Sequence, residues 1–334
     1  MRRISGTGSN SMRRNIWQAF KQSKELAALI VLTVFVLVFS LASDRFATLN
    51  TATSILTVAA EVGIVAIGVS MLMISGEFDI SVGSVMAMTT LVFCWLANWG
   101  LPGPLAFIAS LMLCAAIGTV NGLLTLKLRI PSFIVTLGAM MFWRGLHSYL
   151  TDGFPVMYEA DAYERDAQFL GLLGGNPFAM FHMTIVWFLL LGILFQFLLT
   201  SSVYGNHLQA VGGDCEAARN AGVKVNRIKL TSFVLCSSMA GLAGLLNLAR
   251  FRASQGLLGM GMELESIAAS VIGGNELSGG TGTIFGTVLG AILTSVIKTG
   301  LIDQGVSPYL YLPLNGVIII LAVVLNQILV RYRR

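Results

Sequence analysis

The stretch "MLMISGEFDISVGS" at residues 71–84 places two carboxylates inside a segment that is otherwise free of charge. Glu77 and Asp79 are the charged residues of the whole range 62–126. An ionised carboxylate at the centre of a bilayer costs about 2.5 to 3.5 kcal/mol on insertion scales, so neither side chain is expected to face lipid. Glycines stand at both ends of this polar run, and glycine permits the backbone turns that unwind a helix. We therefore expect a broken helix whose polar groups face protein, water or substrate; a cytoplasmic turn with solvated acids is the alternative.

The composition around this stretch is that of a membrane protein. Hydrophobic residues make up 55% of the 334 positions and charged residues 11%, against roughly a quarter charged residues in soluble proteins. Apolar runs such as "LAALIVLTVFVLVFSLAS" (26–43) approach the roughly 20 residues that cross a bilayer as a helix. We predict an all-α, polytopic helical membrane protein with about ten spans. They lie near 26–43, 52–75, 82–98, 104–126, 132–150, 179–200, 230–249, 264–274, 283–302 and 311–330.

The span near 264–274 is too short to cross a hydrocarbon core of about 30 Å by itself. A broken or re-entrant helix is therefore expected there as well. The stretches "ISGEFDISVGS" (74–84) and "IGGNELSGGTG" (272–282) share an apolar residue, a glycine, polar residues and an aliphatic-Ser-x-Gly ending. An internal duplication explains this similarity, and so does the general likeness of glycine-rich breaks.

Basic residues are concentrated at the two ends of the chain. By the positive-inside tendency, both termini are expected in the cytoplasm, which requires an even number of crossings. Lys127 and Arg129 then fall inside and the mostly acidic loop 151–169 outside, whereas Arg250 and Arg252 fit this threading less well. Because the net charge of +5 lies largely at the ends, it does not indicate a nucleic-acid partner.

These features predict a domain organisation. We expect a basic cytoplasmic tail at 1–25, a transmembrane domain at 26–330 with a cytoplasmic loop at 201–230, and a basic cytoplasmic tail at 331–334. The first apolar run is longer than the roughly 7 to 15 residues of a cleaved signal, so it is expected to remain as a helix.

The segment "GGDCEAARNAG" (212–222) predicts a short helix outside the membrane. Asp214 can cap its start, and Glu216 lies in the first turn, where the helix dipole favours an acidic residue. Arg219 lies near the end, and Gly222 ends the helix. Ala217 and Ala221 would form a small flat face that could seat in a groove of another protein. An ordinary capped loop helix is the alternative.

Other polar and small residues lie within the predicted spans. Asn121, and Arg144 with His147 three residues later, are candidates for a transport path; a hydrogen bond between helices or a position on the outer surface explains them equally well. Gly286 and Gly290 continue a four-residue spacing of small residues that lets membrane helices approach closely, and we expect them to serve packing.

Several classes of function are disfavoured. The sequence has no G-x-x-x-x-G-K-[ST] phosphate loop, so the chain is not expected to hydrolyse ATP. The four cysteines lack paired spacing, and the three histidines do not stand near a G-x-S-x-G serine. We expect no enzyme activity, no metal site and no cofactor bound by this chain.

Four motifs in order resemble the permease subunits of ribose-type sugar ABC importers, within the branched-chain amino acid and ribose permease family. They are "GEFDISVGS" (76–84), "NGLLTLKLRIPSFIVTLGAMMFWRGL" (121–146), "AVGGDCEAARNAGVKVNRIKL" (210–230) and "ESIAASVIGGNELSGGTGTIFGTVLGA" (265–291). The resemblance runs from about the second span to the last. Phe78 and Ile80 around Asp79 vary the family's usual acidic-leucine pattern, which leaves specificity open.

The resemblance implies a permease subunit of the bacterial inner membrane. It would pair with a second permease subunit, identical or different, and take a monosaccharide or polyol from a periplasmic binding protein. Separate cytoplasmic subunits would hydrolyse the ATP. An ion-coupled secondary transporter that uses Glu77 or Asp79, and an ABC permease for branched-chain amino acids, remain alternatives.

The expected site residues fall into two groups. For the substrate path or gate they are Glu77, Phe78, Asp79, Ser81, Asn121, Thr136, Arg144 and Asn275. For coupling to the ATPase they are Gly212, Gly213, Asp214, Glu216, Ala217, Ala218, Arg219 and Gly222. Phe78, Phe142 and Trp143 are aromatic faces suited to a neutral polyol.

Overall fold

A computed structural model describes residues 24–176 and 181–307, with single positions up to 320. Within this part of the chain it contains 12 helices and one antiparallel pair of two-residue strands. The helices are α1 (Lys24–Ala42), α2 (Leu49–Ile74), α3 (Val82–Asn98), α4 (Gly103–Leu128), α5 (Ser132–Leu150), α6 (Ala160–Gly174), α7 (Met183–Ser201), α8 (Val203–Gly213), α9 (Cys215–Asn220), α10 (Val225–Phe251), α11 (Met262–Ile272) and α12 (Ile284–Asp303). The strands are β1 (Val156–Met157) and β2 (Ala253–Ser254), which pair Val156 with Ser254 and Met157 with Ala253.

The helical fold agrees with the prediction, but ten spans are not confirmed. In the described part of the chain, five helices are long and apolar enough to cross a membrane, namely α2, α4, α7, α10 and α12. The apolar part of α1 (Ala28–Ala42) and helix α3 are shorter. Helix α11 has 11 residues, too few for a full crossing, as expected. The predicted last span, 311–330, falls largely outside the described residues, as do the two tails.

Helix α2 is the centre of the bundle and packs against α7, α10, α11 and α12. Of the 18 consecutive residues that form its most apolar stretch, 83% are buried, which is typical of a helix that is hydrophobic on all sides. Small residues permit the close packing: a Cβ added to Gly68 would lie 2.8 Å from the Cβ of Met239 on α10. The helix that ends at the first polar break is therefore held rigidly by its neighbours.

Helices α11 and α12 are also in close contact, because α12 presents glycine to α11. A Cβ on Gly290 would overlap the carbonyl oxygen of Ala269, and one on Gly286 would overlap that of Gly273. The packing role predicted for these glycines is confirmed.

The bundle has two ends, which local contacts define. At one end, here called the α9 end, the residues after α2 meet those before α12 and the C-terminus of α8. At the opposite end, Asn98 donates a hydrogen bond to the carbonyl oxygen of Met157, and Gly103 N donates to Asp166. The loop 151–169, with β1 and the start of α6, thus lies away from α9, as the predicted threading requires.

Asp166 organises the opposite end. It accepts hydrogen bonds from Gly103 N at 2.9 Å, from the Tyr158 hydroxyl at 2.6 Å and from Arg165 at 2.7 Å. Burial raises the pKa of Asp166, but these hydrogen bonds, that of Arg165 above all, outweigh burial and hold the pKa below its usual value. The carboxylate therefore remains charged and joins α6 to the start of α4.

Arg250 and Arg252, which fitted the threading poorly, have specific partners at this end of α10. Arg250 forms an ion pair with Glu61 of α2. Arg252 donates to the Tyr163 hydroxyl at 2.7 Å and lies over its ring. Local partners therefore account for two basic residues that the predicted threading places outside.

The contact of α11 with α12 gives a prediction for stability. We expect Gly290→Ala to destabilise the protein by about 1 to 3 kcal/mol, because the new methyl group forces two packed helices apart. Gly138→Ala is the matched control, since open space surrounds Gly138 in the middle of α5 and alanine favours helix by about 1 kcal/mol. Thermal unfolding in detergent measures both; equal unfolding temperatures for the two variants would contradict the packing argument.

Candidate functional site

The polar run 75–81 forms a break between α2 and α3. Gly76 has a φ of +83°, a conformation that glycine adopts without strain. Asp79 is 1% exposed and accepts hydrogen bonds from the backbone N–H of Ser81 at 2.8 Å and from the Ser81 hydroxyl at 2.5 Å. The expected break is present, and the Asp79 carboxylate faces protein rather than solvent.

Three other helices complete the surroundings of Asp79. Ser237 of α10 donates to its carboxylate at 3.5 Å, and Asn121 of α4 donates to the Ser81 hydroxyl at 3.1 Å. Thr136 of α5 accepts from the N–H of Ile80 at 3.2 Å. The structure thus brings together Asp79, Ser81, Asn121 and Thr136, which the sequence had placed in one site; we call them, with Ser237, the Asp79 cluster.

Phe78 lies beside this cluster and is half-buried against the apolar core. Its N–H donates to the Ser132 hydroxyl at 3.2 Å. The sequence did not single out Ser132 or Ser237, since a serine in an apolar helix carries no pattern that distinguishes a ligand from a packing residue.

Glu77 has different surroundings from Asp79, although two positions separate them. Its carboxylate forms an ion pair with Lys229 at the start of α10, with 2.6 Å between Nζ and Oε1. The side chains of Glu77 and Lys229 are 15% and 13% exposed. Lys229 was not predicted as a site residue, because nothing in the sequence relates it to a carboxylate 152 positions away.

The Glu77–Lys229 pair lines a cavity of about 420 Å³ at the α9 end. The end of α4 and the following turn contribute Thr125 and Arg129, and helix α9 contributes Arg219. This cavity, here called the α9-end cavity, is lined by α9, by the end of α4 with the following turn, and by the start of α10. Of the predicted path residues, Glu77 lines this open cavity, whereas Asp79, Ser81, Asn121 and Thr136 belong to the buried cluster.

The second break joins α11 to α12 and contains Asn275, which is fully buried. The Asn275 amide donates to the hydroxyls of Ser70 at 2.8 Å and Thr287 at 3.0 Å. Its oxygen accepts from the N–H of Thr283 at 2.7 Å. Asn275, predicted as a path residue, is here a fully bonded tie between the second break and α2.

The two breaks are built alike. Each has a glycine of positive φ two positions after the last helical residue, Gly76 after Ile74 and Gly274 after Ile272. Each then carries a buried polar side chain, Asp79 in the first and Asn275 in the second. The similarity noted in the sequence thus extends to the backbone, while its origin by duplication stays a prediction.

The breaks also touch each other, at the C-terminus of α8. Gly280 N donates a hydrogen bond to the carbonyl oxygen of Ile74 at 2.9 Å. A Cβ on Gly212 would overlap that same oxygen, and one on Gly279 would lie 2.9 Å from the Cα of Gly76. Backbone from three distant segments therefore meets without intervening side chains; we call this contact the glycine junction.

Helix α9 follows the junction directly. The Asp214 carboxylate accepts from the N–H groups of Glu216 at 2.9 Å and Ala217 at 3.0 Å, and Gly222 ends the segment with a φ of +86°. The predicted cap and stop are confirmed. Gly212 and Gly213 belong to α8 rather than to the short helix, which has six residues.

The exposed face of α9 is small and smooth. Glu216, Ala217, Arg219 and Ala221 are exposed, whereas Ala218 is buried against the protein. The pair of alanines predicted to form a flat face is therefore accessible to a partner.

Arg144 lies apart from the Asp79 cluster. Its two terminal nitrogens are buried without a hydrogen-bond partner in the described part of the chain. Nearby on α5, His147 is fully buried and shares a hydrogen bond of 3.1 Å with Ser254, which in turn bonds Thr90 at 2.8 Å. These contacts tie α5 to β2 and α3. Phe142 is exposed on the same helix and packs edge-on against Trp143.

Among the residues that the structure describes, no group of three histidine, cysteine or acidic side chains is arranged to hold a metal ion. The cysteines behave as packing residues, since Cys94, Cys114 and Cys236 are buried. Cys215 is partly exposed and lines the α9-end cavity.

Comparisons with known proteins identify the family to which this chain is similar. The family model described as branched-chain amino acid transport system / permease component matches residues 51–323. The ribose import permease protein RbsC of Escherichia coli (strain K12) is 35% identical over 307 residues, covering 91% of this chain and 94% of that protein. RbsC of Bacillus subtilis (strain 168) is 31% identical over 304 residues, with coverages of 91% and 93%.

A third relative is named for a different substrate. The autoinducer 2 import system permease protein LsrC of Photorhabdus luminescens is 30% identical over 283 residues, covering 84% of this chain and 83% of that protein. No solved structure matches the chain. With a family model that matches most of its length and relatives that align almost end to end, the chain belongs to the branched-chain amino acid transport system permease component family, in its ribose-type group.

Proposed function

We propose that this chain is the membrane permease subunit of an ATP-driven importer of a monosaccharide or polyol. The observation that carries the proposal is helix α9. This exposed, capped helix begins two residues after Gly213 and therefore directly follows the glycine junction in which the two breaks meet. The names of the relatives, ribose import and autoinducer 2 import permeases, support a sugar-like substrate.

The partners of such a subunit follow from this assignment. Separate ATP-binding subunits dock on α9 from the cytoplasm, and a periplasmic binding protein delivers the sugar at the opposite end of the bundle. A second permease subunit, identical or different, completes the path. The chain resides in the bacterial inner membrane with both termini in the cytoplasm, and it binds no cofactor of its own.

The glycine junction supplies the coupling step. A docked ATPase moves α9, which is joined through Asp214 to the end of α8. The end of α8 contacts Ile74 and Gly280 through backbone atoms, so the displacement reaches both breaks through backbone contacts alone. Side-chain rotation cannot absorb such a movement, because no side chains separate the segments. The Asp79 cluster, five positions after Ile74, then opens or closes the path.

The chemistry of the Asp79 cluster suits a neutral sugar. A carboxylate, serine and threonine hydroxyls and an asparagine amide offer both donors and acceptors to sugar hydroxyls. Asp79 is buried in this structure, so the cluster is closed here and contacts substrate only after the break moves.

One observation favours the branched-chain amino acid alternative. A zwitterionic amino acid calls for a fixed pair of opposite charges, and Glu77 with Lys229 is such a pair at the wall of a cavity. The two groups bond each other at 2.6 Å, so an amino acid would have to separate them. The ligand carried by a copurified binding protein distinguishes the two functions.

Replacing Ala217 by tryptophan tests the docking role of α9. We expect Ala217→Trp to abolish copurification of the ATPase subunits and substrate-stimulated ATP hydrolysis, because the added bulk stands where a groove must fit closely. Membrane levels of the chain should remain near normal, since Ala217 is exposed outside the spans.

Ala167→Trp is the matched control, because Ala167 is an exposed helical alanine at the opposite end. If Ala217→Trp keeps its ATPase at wild-type yield and still imports substrate, residues 212–222 are a simple loop helix. Import by the chain alone in proteoliposomes, driven by a pH gradient without ATP, would instead favour the secondary-transporter alternative.

The junction itself is tested at Gly212. We expect Gly212→Ala to retain the ATPase but to reduce import strongly, because its methyl group would overlap the Ile74 carbonyl and separate α8 from the first break. At the next position, open space surrounds Gly213, so Gly213→Ala should cause a clearly smaller loss. Import rates and ATPase copurification are measured for both variants. Equal losses of import in Gly212→Ala and Gly213→Ala would argue against a steric role of the junction.

Replacing Asp79 tests whether the Asp79 cluster serves the substrate path. We expect Asp79→Asn to lower the import rate about tenfold or more while the complex still assembles, because the amide cannot accept all the hydrogen bonds of the carboxylate. The exposed Asp161, replaced in Asp161→Asn, serves as the control. Full import by a Glu77→Gln, Asp79→Asn double variant would remove both acids from the mechanism.

A further inference from the structure

The α9-end cavity carries more positive charge than its protein partners neutralise. Its titratable walls are Glu77, Lys229, Arg129 and Arg219. Glu77 and Lys229 cancel each other at 2.6 Å. In the described part of the chain no ion pair involves Arg129 or Arg219, so two exposed arginines line this cavity without a carboxylate partner.

Two further features of the wall indicate a ligand. The Thr125 hydroxyl oxygen is buried without a hydrogen-bond partner in a side chain that is only 7% exposed. Arg129, which ends α4, has a φ of +56°, a left-handed conformation that costs a non-glycine residue roughly 1 to 2 kcal/mol. Buried polar groups normally find a partner, and strained residues concentrate at ligand clamps.

We infer that this cavity binds a soluble phosphate ester of about the size of a phosphorylated monosaccharide. Two guanidinium groups match the two negative charges of a phosphate monoester and can bond its oxygens in pairs. Thr125 and Asn226 offer polar groups for hydroxyls. The volume of about 420 Å³ lies within the roughly 300 to 1,000 Å³ typical of small-molecule pockets.

The consequence for regulation rests on the proposed function. Arg219 lies on α9, and Arg129 lies on the turn after α4. A phosphate held between them links the docking helix to the membrane-spanning bundle and restrains its movement. A phosphorylated product made from the imported sugar would thereby slow import from the cytoplasmic side.

Cys215 provides a direct test of binding on the full-length chain without its ATPase. It lines the cavity, whereas the other three cysteines are buried. In detergent, we expect ribose 5-phosphate to slow maleimide labelling of Cys215 strongly, inorganic phosphate to do so at higher concentration, and ribose to have no effect. Cys215→Ala, which should take up no label, identifies the reacting thiol.

Variants and lipid separate the remaining explanations. Arg129→Gln should weaken protection by ribose 5-phosphate about tenfold or more, whereas Arg227→Gln should not, since Arg227 is exposed nearby but does not line the cavity. Equal protection by ribose would make this a neutral-sugar site. The lipid headgroup explanation predicts that phosphatidylglycerol vesicles protect Cys215 without any added ligand. If they do, and ribose 5-phosphate does not protect Cys215 in phosphatidylcholine vesicles, the cavity binds a lipid headgroup instead.

Absence of protection by every phosphate compound would overturn the inference while leaving the permease assignment intact. Conversely, if Ala217→Trp imports normally but ribose 5-phosphate still protects Cys215, the site stands and the coupling role of α9 fails. In the complete importer, ribose 5-phosphate on the cytoplasmic side should lower ATP-driven import in the wild-type chain and affect Arg129→Gln much less.

Discussion

Satisfaction of backbone groups at two interrupted helices is the constraint on which this structure depends. A helix that ends within a packed bundle leaves N–H and C=O groups without partners in the helix, and such groups need other partners wherever water is excluded. The first break meets this requirement with the hydroxyls of Ser132 and Thr136 and the second with the oxygen of Asn275. Ile74 and Gly280 then bond each other across the two breaks. The polar residues of this apolar chain are therefore needed for folding before they serve any transport step.

The same requirement explains why glycine collects where the breaks meet. Hydrogen bonds between backbones demand an approach that a Cβ would prevent, and Gly212 and Gly279 stand at the positions of closest contact. Packed backbones shift between discrete arrangements rather than deform smoothly, since interiors are dense and transmit strain. A junction of this kind is thus suited to a subunit that must carry a movement from its surface to its centre.

Local chemistry predicted most of the architecture, and long-range pairing was beyond its reach. Hydropathy predicted spans at 52–75 and 230–249, and the helices are Leu49–Ile74 and Val225–Phe251. Asp214 and Gly222 predicted the position of α9, because caps and glycine act on neighbouring residues. Asp79 stood out as a charge where charge is expensive. Lys229 and Ser237 did not, since each becomes a partner only when distant helices pack. Arg144 was grouped with the path from its polarity alone, and no hydrogen bond in the described residues joins it to the Asp79 cluster.

The separation of Glu77 from Asp79 connects the two halves of the proposed mechanism. One acid is buried among hydroxyls and the other is paired with Lys229 at the α9-end cavity, yet both belong to a single segment seven residues long between α2 and α3. A movement of this segment that exposed Asp79 would carry Glu77 with it, since only two positions separate the residues, and would then alter the charge that the cavity presents. By linkage, a ligand that prefers one arrangement of the cavity must then shift the population of the other site by the same free energy. If the α9-end cavity binds an anion and the Asp79 cluster binds a sugar, as proposed, the two ligands would be thermodynamically coupled without any contact between them.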